Sequence, residues 1–92
     1  MIRSVKGSPT RRFIETGKSK FRGLDVELAR QRLTELNAAR SLDVLSRLRS
    51  VGLHKLKGDR SGCWAISVNG PWRIVFRFHD GDAYEVEIVD YH

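Results

Sequence analysis

The fold is decided by residues 72–90, which read WRIVFRFHDGDAYEVEIVD. Apolar and polar residues alternate on both sides of a central Asp-Gly-Asp, which predicts two strands that each bury one face. The residues expected on the buried face are Trp72, Ile74, Phe76 and Phe78 in the first strand and Tyr84, Val86 and Ile88 in the second. An antiparallel hairpin is therefore the first element that the sequence indicates.

The register of this hairpin follows from the loop. Directly opposed residues share a face, so even positions must pair with even ones. A three-residue loop over residues 80–82, with Gly81 at a positive φ, gives such a register. The pairs predicted in this way are Phe78 with Tyr84, Arg77 with Glu85, and Arg73 with Val89.

The last of these pairs brings Arg73 beside the end of the second strand, where Asp90, Tyr91 and His92 follow. A guanidinium, a carboxylate, a phenol and an imidazole then lie at one end of the sheet. Arginine offers planar paired donors and histidine titrates near neutral pH, so this group suits a phosphate-containing ligand. The alternative is a polar strand end that frays into solvent.

A third strand precedes the hairpin. Residues 63–68 alternate again, with Trp64, Ile66 and Val68 inward, and Asn69-Gly70-Pro71 turns the chain into Trp72. The predicted pairs are Ile66 with Ile74, Trp64 with Phe76, and Ser67 with Arg73, which makes a meander. Its other face is expected to carry Ser67, Arg73, Arg77, Glu85 and Glu87. Arg73 has no acidic neighbour in this register and is the arginine best placed for a ligand.

The first half of the chain reads as helices, with a short edge strand at residues 2–5. Ser8 as N-cap, Pro9 at the first helical position and Gly17 as stop predict a helix over residues 9–16. Asp25 is expected to cap the next helix. Its apolar stripe is Val26, Ala29, Leu33, Leu36 and Ala39, with Arg30 and Arg32 off the stripe. Ser41 is expected to cap a further turn or two, with Leu42, Leu45 and Leu48 inward, and residues 51–56 to begin the sheet.

Composition and charge favour one small domain, residues 1–92, with a polyanionic partner. The formal charge is +6. Residues 1–50 hold twelve Lys/Arg against five Asp/Glu, whereas residues 51–92 hold five against six. A basic partner-binding surface on the helices is one interpretation, and a solvated helix face is the other.

Several classes of protein are disfavoured. Cys63 is the one cysteine, so no internal disulfide forms, and His54, His79 and His92 lack metal-ligand spacing. We therefore expect no metal and no cofactor. No apolar run approaches the ~20 residues of a transmembrane helix, and the N-terminal residues do not resemble a signal peptide, so a cytoplasmic protein is expected.

Four stretches together resemble the HigB-type toxins of the RelE/ParE superfamily, over essentially the whole chain. They are residues 53–60 (LHKLKGDR), residues 64–68 (WAISV), residues 72–74 (WRI) and Asp90-Tyr91-His92. The resemblance implies an α+β, RelE-like fold with two to three helices packed on one face of a small, mainly antiparallel twisted sheet. It also implies a type II toxin that cleaves mRNA in the ribosomal A site and has a HigA-type helix-turn-helix antitoxin.

The chemistry implied by this resemblance is cleavage of RNA by its own 2′-OH, without a metal. Such cleavage needs a base, an acid and a cation on the phosphate. The residues expected in the reaction are His54, Arg73, Asp90, Tyr91 and His92, and those expected on the RNA backbone are Lys55, Lys57, Arg60 and Arg73. His79, near the turn, is expected to be a surface residue. Two alternatives stay open: a non-nucleolytic toxin like the ParE branch, and a basic RNA-binding module without chemistry.

Overall fold

The computed structural model describes residues 1–48 and 50–91 and shows three helices beside a four-stranded antiparallel sheet. The helices are α1 Ser8–Thr16, α2 Val26–Ala38 and α3 Leu42–Ser46. The strands, in sheet order, are β1 His54–Lys55, β2 Trp64–Ser67, β3 Trp72–His79 and β4 Asp82–Asp90. A 3₁₀ turn, Gly58–Arg60, lies between β1 and β2. The predicted α+β class is confirmed.

The helix starts and stops follow the capping residues in most places. Asp25 accepts a hydrogen bond from the Leu28 N–H and Ser41 accepts one from the Val44 N–H, as predicted. Gly17 ends α1 in the left-handed conformation, also as predicted. The prediction that Ser8 caps α1 was wrong: Gly7, with φ 86°, is the N-cap and no side chain caps the helix.

The helices cover one face of the sheet, which we call the helix face. Its fully buried residues are Ile66, Ile74, Phe76, Val86 and, on α2, Ala29 and Leu36. The predicted pairs between β2 and β3 are all present: Ile66 with Ile74, Trp64 with Phe76, and Ser67 with Arg73. This layer of apolar side chains fixes the register because a shift by one residue would turn it towards solvent.

The hairpin of β3 and β4 keeps the predicted register at one end only. Arg73 pairs with Val89, as predicted, but Arg77 pairs with Tyr84 and Phe78 with Ala83. A bulge between Val75 and Arg77 places two residues of β4 opposite Phe76. The predicted pairs Phe78 with Tyr84 and Arg77 with Glu85 were therefore wrong.

The bulge also changes the turn and the faces of β4. The loop is the two-residue Asp80-Gly81, with φ 47° and 81°, which matches a type I′ hairpin rather than the three-residue loop predicted. Tyr84 shares a face with Arg77, so its predicted place on the helix face was wrong. Ala83 is buried instead. Arg77 Nε still reaches Glu85 Oε2 at 2.8 Å, although the two residues are not paired in the ladder.

The edge strand predicted at residues 2–5 is present only as two isolated parallel bridges to β4. Ile2 bridges Ala83 and Val5 bridges Val86. Ser4 lies against the bulge, where its Oγ accepts from the Glu85 N–H at 2.8 Å and its carbonyl from the Val86 N–H at 3.1 Å. The N-terminal segment thus supplies hydrogen-bond acceptors for the Glu85 and Val86 N–H groups, which do not bond to β3 at the bulge.

The other side of the sheet, which we call the helix-free face, carries His54, Ala65, Ser67, Arg73, Val75, Arg77, Tyr84, Glu87 and Val89. It is less polar than predicted. A small cluster of Leu56, Ala65 and Val75 is buried there, with Cys63 and Val89 packed against it. The centre of this face is therefore a closed apolar floor with charged residues around it.

Candidate active site

His54 lies on the helix-free face at the edge of the sheet. It is exposed and pairs with Ala65 of β2. Its Nδ1 is 2.9 Å from the Gly52 carbonyl oxygen. Because a carbonyl only accepts, this contact assigns the hydrogen to Nδ1, and the neutral ring then keeps a lone pair on Nε2. Nε2 of the neutral ring can therefore accept a hydrogen bond or a proton.

Arg73 lies on the same face, between Ser67 of β2 and Val89 of β4. Its Nη1 donates to the Gly70 and Trp72 carbonyl oxygens at 2.8 and 2.9 Å, which fixes the half-buried side chain against its own turn. Among residues 1–48 and 50–91, no acidic side chain forms a salt bridge with Arg73. Its charge is therefore not neutralised by a carboxylate of the described residues, in agreement with the sequence prediction.

The register sets the separation of these two residues. His54 pairs with Ala65 and Ala65 with Val75, which is two residues from Arg73 along β3. Two inter-strand steps and one step of two residues along a strand put the Cα atoms roughly 12 Å apart. The two residues therefore lie on one face of the sheet, at opposite sides of the apolar floor.

The end of β4 stays beside Arg73. The Tyr91 N–H donates to the Pro71 carbonyl oxygen at 2.8 Å, and Tyr91 is 37% exposed. Asp90 pairs with Trp72, so the register assigns it to the helix face rather than to the face of Arg73. His92 lies outside the described residues.

The cations predicted to bind the RNA backbone do not lie together. Lys55 belongs to the helix face, where its Nζ is 6.0 Å from the centre of the Trp64 ring. Lys57 is exposed just before the 3₁₀ turn. Arg60 Nη1 is 3.7 Å from Glu87 Oε1 and thus reaches the helix-free face from its margin.

Sequence analysis missed one buried cation, Arg32 of α2. It was predicted to lie off the apolar stripe of α2, but it is 4% exposed and forms a salt bridge of 2.9 Å with Glu35. The spacing could have shown this, because Arg32 lies three residues after Ala29 and four before Leu36, on the buried stripe.

Two further properties concern residues 1–48 and 50–91, the part of the chain that the structure describes. No three His, Cys, Asp or Glu side chains within that part of the chain form a group that could hold a metal ion. None of its helices has the length and apolar character needed to span a membrane.

Three helices on one face of a small antiparallel meander, with a histidine and an arginine on the other face, form an α+β protein that is compatible with the RelE-like fold. The chain belongs to the HigB-like toxin family: residues 4–92 match the family model described as "RelE-like toxin of type II toxin-antitoxin system HigB". It is also 40% identical, over 93 residues and the full length of both chains, to the protein named Endoribonuclease HigB from Proteus vulgaris. As a toxin of a type II system, it has an antitoxin as its partner.

Proposed function

We propose that this toxin is an endoribonuclease that cleaves translated mRNA in the ribosomal A site, with its catalytic residues on the helix-free face. The observation that carries the proposal is the pair of His54 and Arg73 on one face, one oriented as a base and the other without a carboxylate partner among the described residues. The Proteus relative's name, Endoribonuclease, supports the reaction class.

The proposed reaction uses the RNA's own hydroxyl group as the nucleophile. A base removes the 2′-OH proton, O2′ forms a bond with the adjacent phosphorus, and the bond from phosphorus to O5′ breaks. An acid donates a proton to the leaving O5′, so the products are a 2′,3′-cyclic phosphate and a 5′-OH. DNA lacks this nucleophile and is not a substrate.

The roles follow from the donor and acceptor chemistry of each group. His54 Nε2, with the hydrogen on Nδ1, is the proposed base. Arg73 stabilises the charge that develops on the phosphate. His92 is the proposed acid, because an imidazole can hold a proton near neutral pH.

The remaining predicted residues have binding or orienting roles in this proposal. Tyr91, exposed beside Arg73, stacks on a nucleotide base, and Asp90 orients the chain end. Arg60 and Lys57 contact the backbone of mRNA or ribosomal RNA at the margin of the face. Lys55 is the weakest member of the predicted set because it lies on the helix face.

The partners follow from the reaction. The proposed substrate is mRNA on a ribosome, which places the reaction in the cytoplasm. The proposed antitoxin is of the HigA type, with a helix-turn-helix domain. No membrane, metal or other cofactor takes part in the proposed steps.

The test is a reconstituted translation reaction in which mRNA 5′ ends are mapped with and without ribosomes. The variants are His54→Ala and His92→Ala, with His79→Ala as a matched control because His79 is exposed near the turn. We expect ribosome-dependent cuts with 5′-OH ends, reduced about 10²–10⁴-fold by either site variant and unchanged by the control. Intact mRNA with folded wild-type protein would contradict the proposal and point to a non-nucleolytic target.

A further inference from the structure

The buried guanidinium of Arg32 joins two segments that lead to the candidate site. Its Nε donates to the Ser67 carbonyl oxygen at 3.0 Å and its Nη2 to the Ser50 carbonyl oxygen at 3.1 Å. Its Nη1 donates to Glu35 Oε1 at 2.9 Å, which neutralises the charge within the same helix. One planar group therefore holds the end of β2, the segment before β1 and α2 together.

Each of the two carbonyl groups lies close in sequence or in register to a proposed catalytic residue. Ser67 is the ladder partner of Arg73. Ser50 precedes Val51 and Gly52, and Gly52 O is the acceptor for His54 Nδ1. The two segments also contact each other directly, because the Ser67 N–H donates to the Val51 carbonyl oxygen at 2.7 Å.

The segment between Ser50 and His54 has an unusual backbone that needs such support. Ser50 has a φ of 67° and Gly52 a φ of 61°. A positive φ at a residue other than glycine is strained and persists where surrounding contacts impose it. At Gly52, an added Cβ would lie 2.9 Å from Ser67 Oγ, so this segment packs closely on β2.

We propose that Arg32 is a positioning residue for His54: it fixes the Ser50–Gly52 backbone and thereby the carbonyl group that orients the imidazole. This inference rests on the proposed function only for its catalytic consequence. Lysine keeps the charge but lacks the planar fork that reaches two carbonyl groups and a carboxylate at once. Arg32→Lys therefore keeps the positive charge but removes the planar guanidinium that makes the three contacts, so any effect reports the geometry of the group.

The test combines NMR of the histidine ring nitrogens with kinetics on programmed ribosomes. In Arg32→Lys we expect the His54 ring to lose its fixed Nδ1–H tautomer, and kcat to fall by about tenfold or more while KM stays within twofold. Arg30→Lys, a change of the same type on the exposed side of α2, is the control and should alter neither quantity. A purely structural role for Arg32 would lower the amount of folded protein without changing the His54 tautomer of the folded fraction.

A second variant covers the case in which Arg32→Lys does not fold. Gly52→Ala keeps Arg32 and displaces the same segment through the contact with Ser67 Oγ, so it should show the same change of tautomer and the same loss of kcat. An unchanged His54 tautomer in the folded variants would overturn the proposal. So would a changed tautomer with unchanged kcat, provided that His54→Ala itself abolishes cleavage. If His54→Ala cleaves at the wild-type rate, the proposed base is wrong, and the NMR result alone then decides whether Arg32 orients His54.

Discussion

The two ends of the β3–β4 hairpin differ in regularity and in charge. At the site end, where Arg73 pairs with Val89 and Trp72 with Asp90, the ladder is regular. At the turn end, between Phe76 and Asp82, the ladder is shifted by a bulge and closed by a type I′ loop. Arg73 at the site end forms no salt bridge with the described residues, whereas Arg77 at the turn end pairs with Glu85.

The turn end also gathers other charges. Asp82 lies 3.2 Å from the N-terminal ammonium group and 3.2 Å from Arg3 Nε. The hydrogen bond from the ammonium group, together with Arg3, holds the pKa of Asp82 below its ordinary value. Charges at this end form salt bridges within the chain, whereas at the site end we propose that Arg73 contacts the RNA phosphate.

The largest effect is expected from the core beside the site end. Ile74 is fully buried between Ile66 and Ile88, whereas Phe78 near the turn is half-buried. Ile74→Ala should lower the free energy of unfolding by about 2–5 kcal/mol because it leaves a cavity among buried side chains. Urea denaturation measures this loss, with Phe78→Ala as the comparison. A larger loss at Phe78 would contradict the view that the site end holds the more stable part of the hairpin.

A smaller effect is expected at the loop itself. Gly81 has a φ of 81°, and an added Cβ would lie 3.2 Å from the Arg40 carbonyl oxygen. Gly81→Ala should lower the free energy of unfolding by about 1–2 kcal/mol through left-handed strain, and by more if the contact with Arg40 cannot relax. Gly58→Ala is the control for the backbone strain alone. Gly58 also has a positive φ, 68°, but no atom lies within 4 Å of the added Cβ. Cleavage by folded Gly81→Ala should equal that of the wild type, and a large loss of kcat would contradict the separation of the two ends.

The smallest effect is expected from the charges around Asp82. Because the pKa of Asp82 is lowered on folding, its ionised form stabilises the folded state above the unfolded value of about 3.9. This contribution disappears as the pH falls through the folded-state pKa, below about 4. Wild type should therefore be slightly more stable than Asp82→Asn at pH 7, and the difference in urea midpoint should shrink towards pH 3. A difference in urea midpoint that grows as the pH falls would contradict the prediction.

The same hairpin shows why part of the structure could be predicted from sequence. Residues at the site end alternate without interruption, so burial of Ile66, Ile74 and Ile88 determines one register. The bulge could not be predicted from β3 and β4 alone, because its N–H groups bond to Ser4, about eighty residues earlier. Local alternation carries no information about a partner so distant in the chain.

The candidate site was predictable to a similar extent. Arg73, Asp90 and Tyr91 lie at one end of the sheet because the register requires it. The face of the sheet on which Lys55 lies could not be predicted, because β1 has only two residues and these are too few to show an alternation of apolar and polar positions. Arg32 was misassigned because a charged residue on a helix is usually exposed, although its spacing from Ala29 and Leu36 indicated burial. The carbonyl groups of Ser50 and Ser67 explain how its guanidinium can be buried.

The central claim is that Arg73, and not basic charge in general, supports cleavage. Arg73 and Arg77 lie on the same strand and the same face, so their alanine variants remove the same charge at the two ends of the hairpin. Ribosome-dependent mRNA cleavage should fall about 10²–10³-fold in Arg73→Ala and change little in Arg77→Ala, with both variants folded by circular dichroism. Equal losses in the two variants, or full activity in folded Arg73→Ala, would contradict the claim.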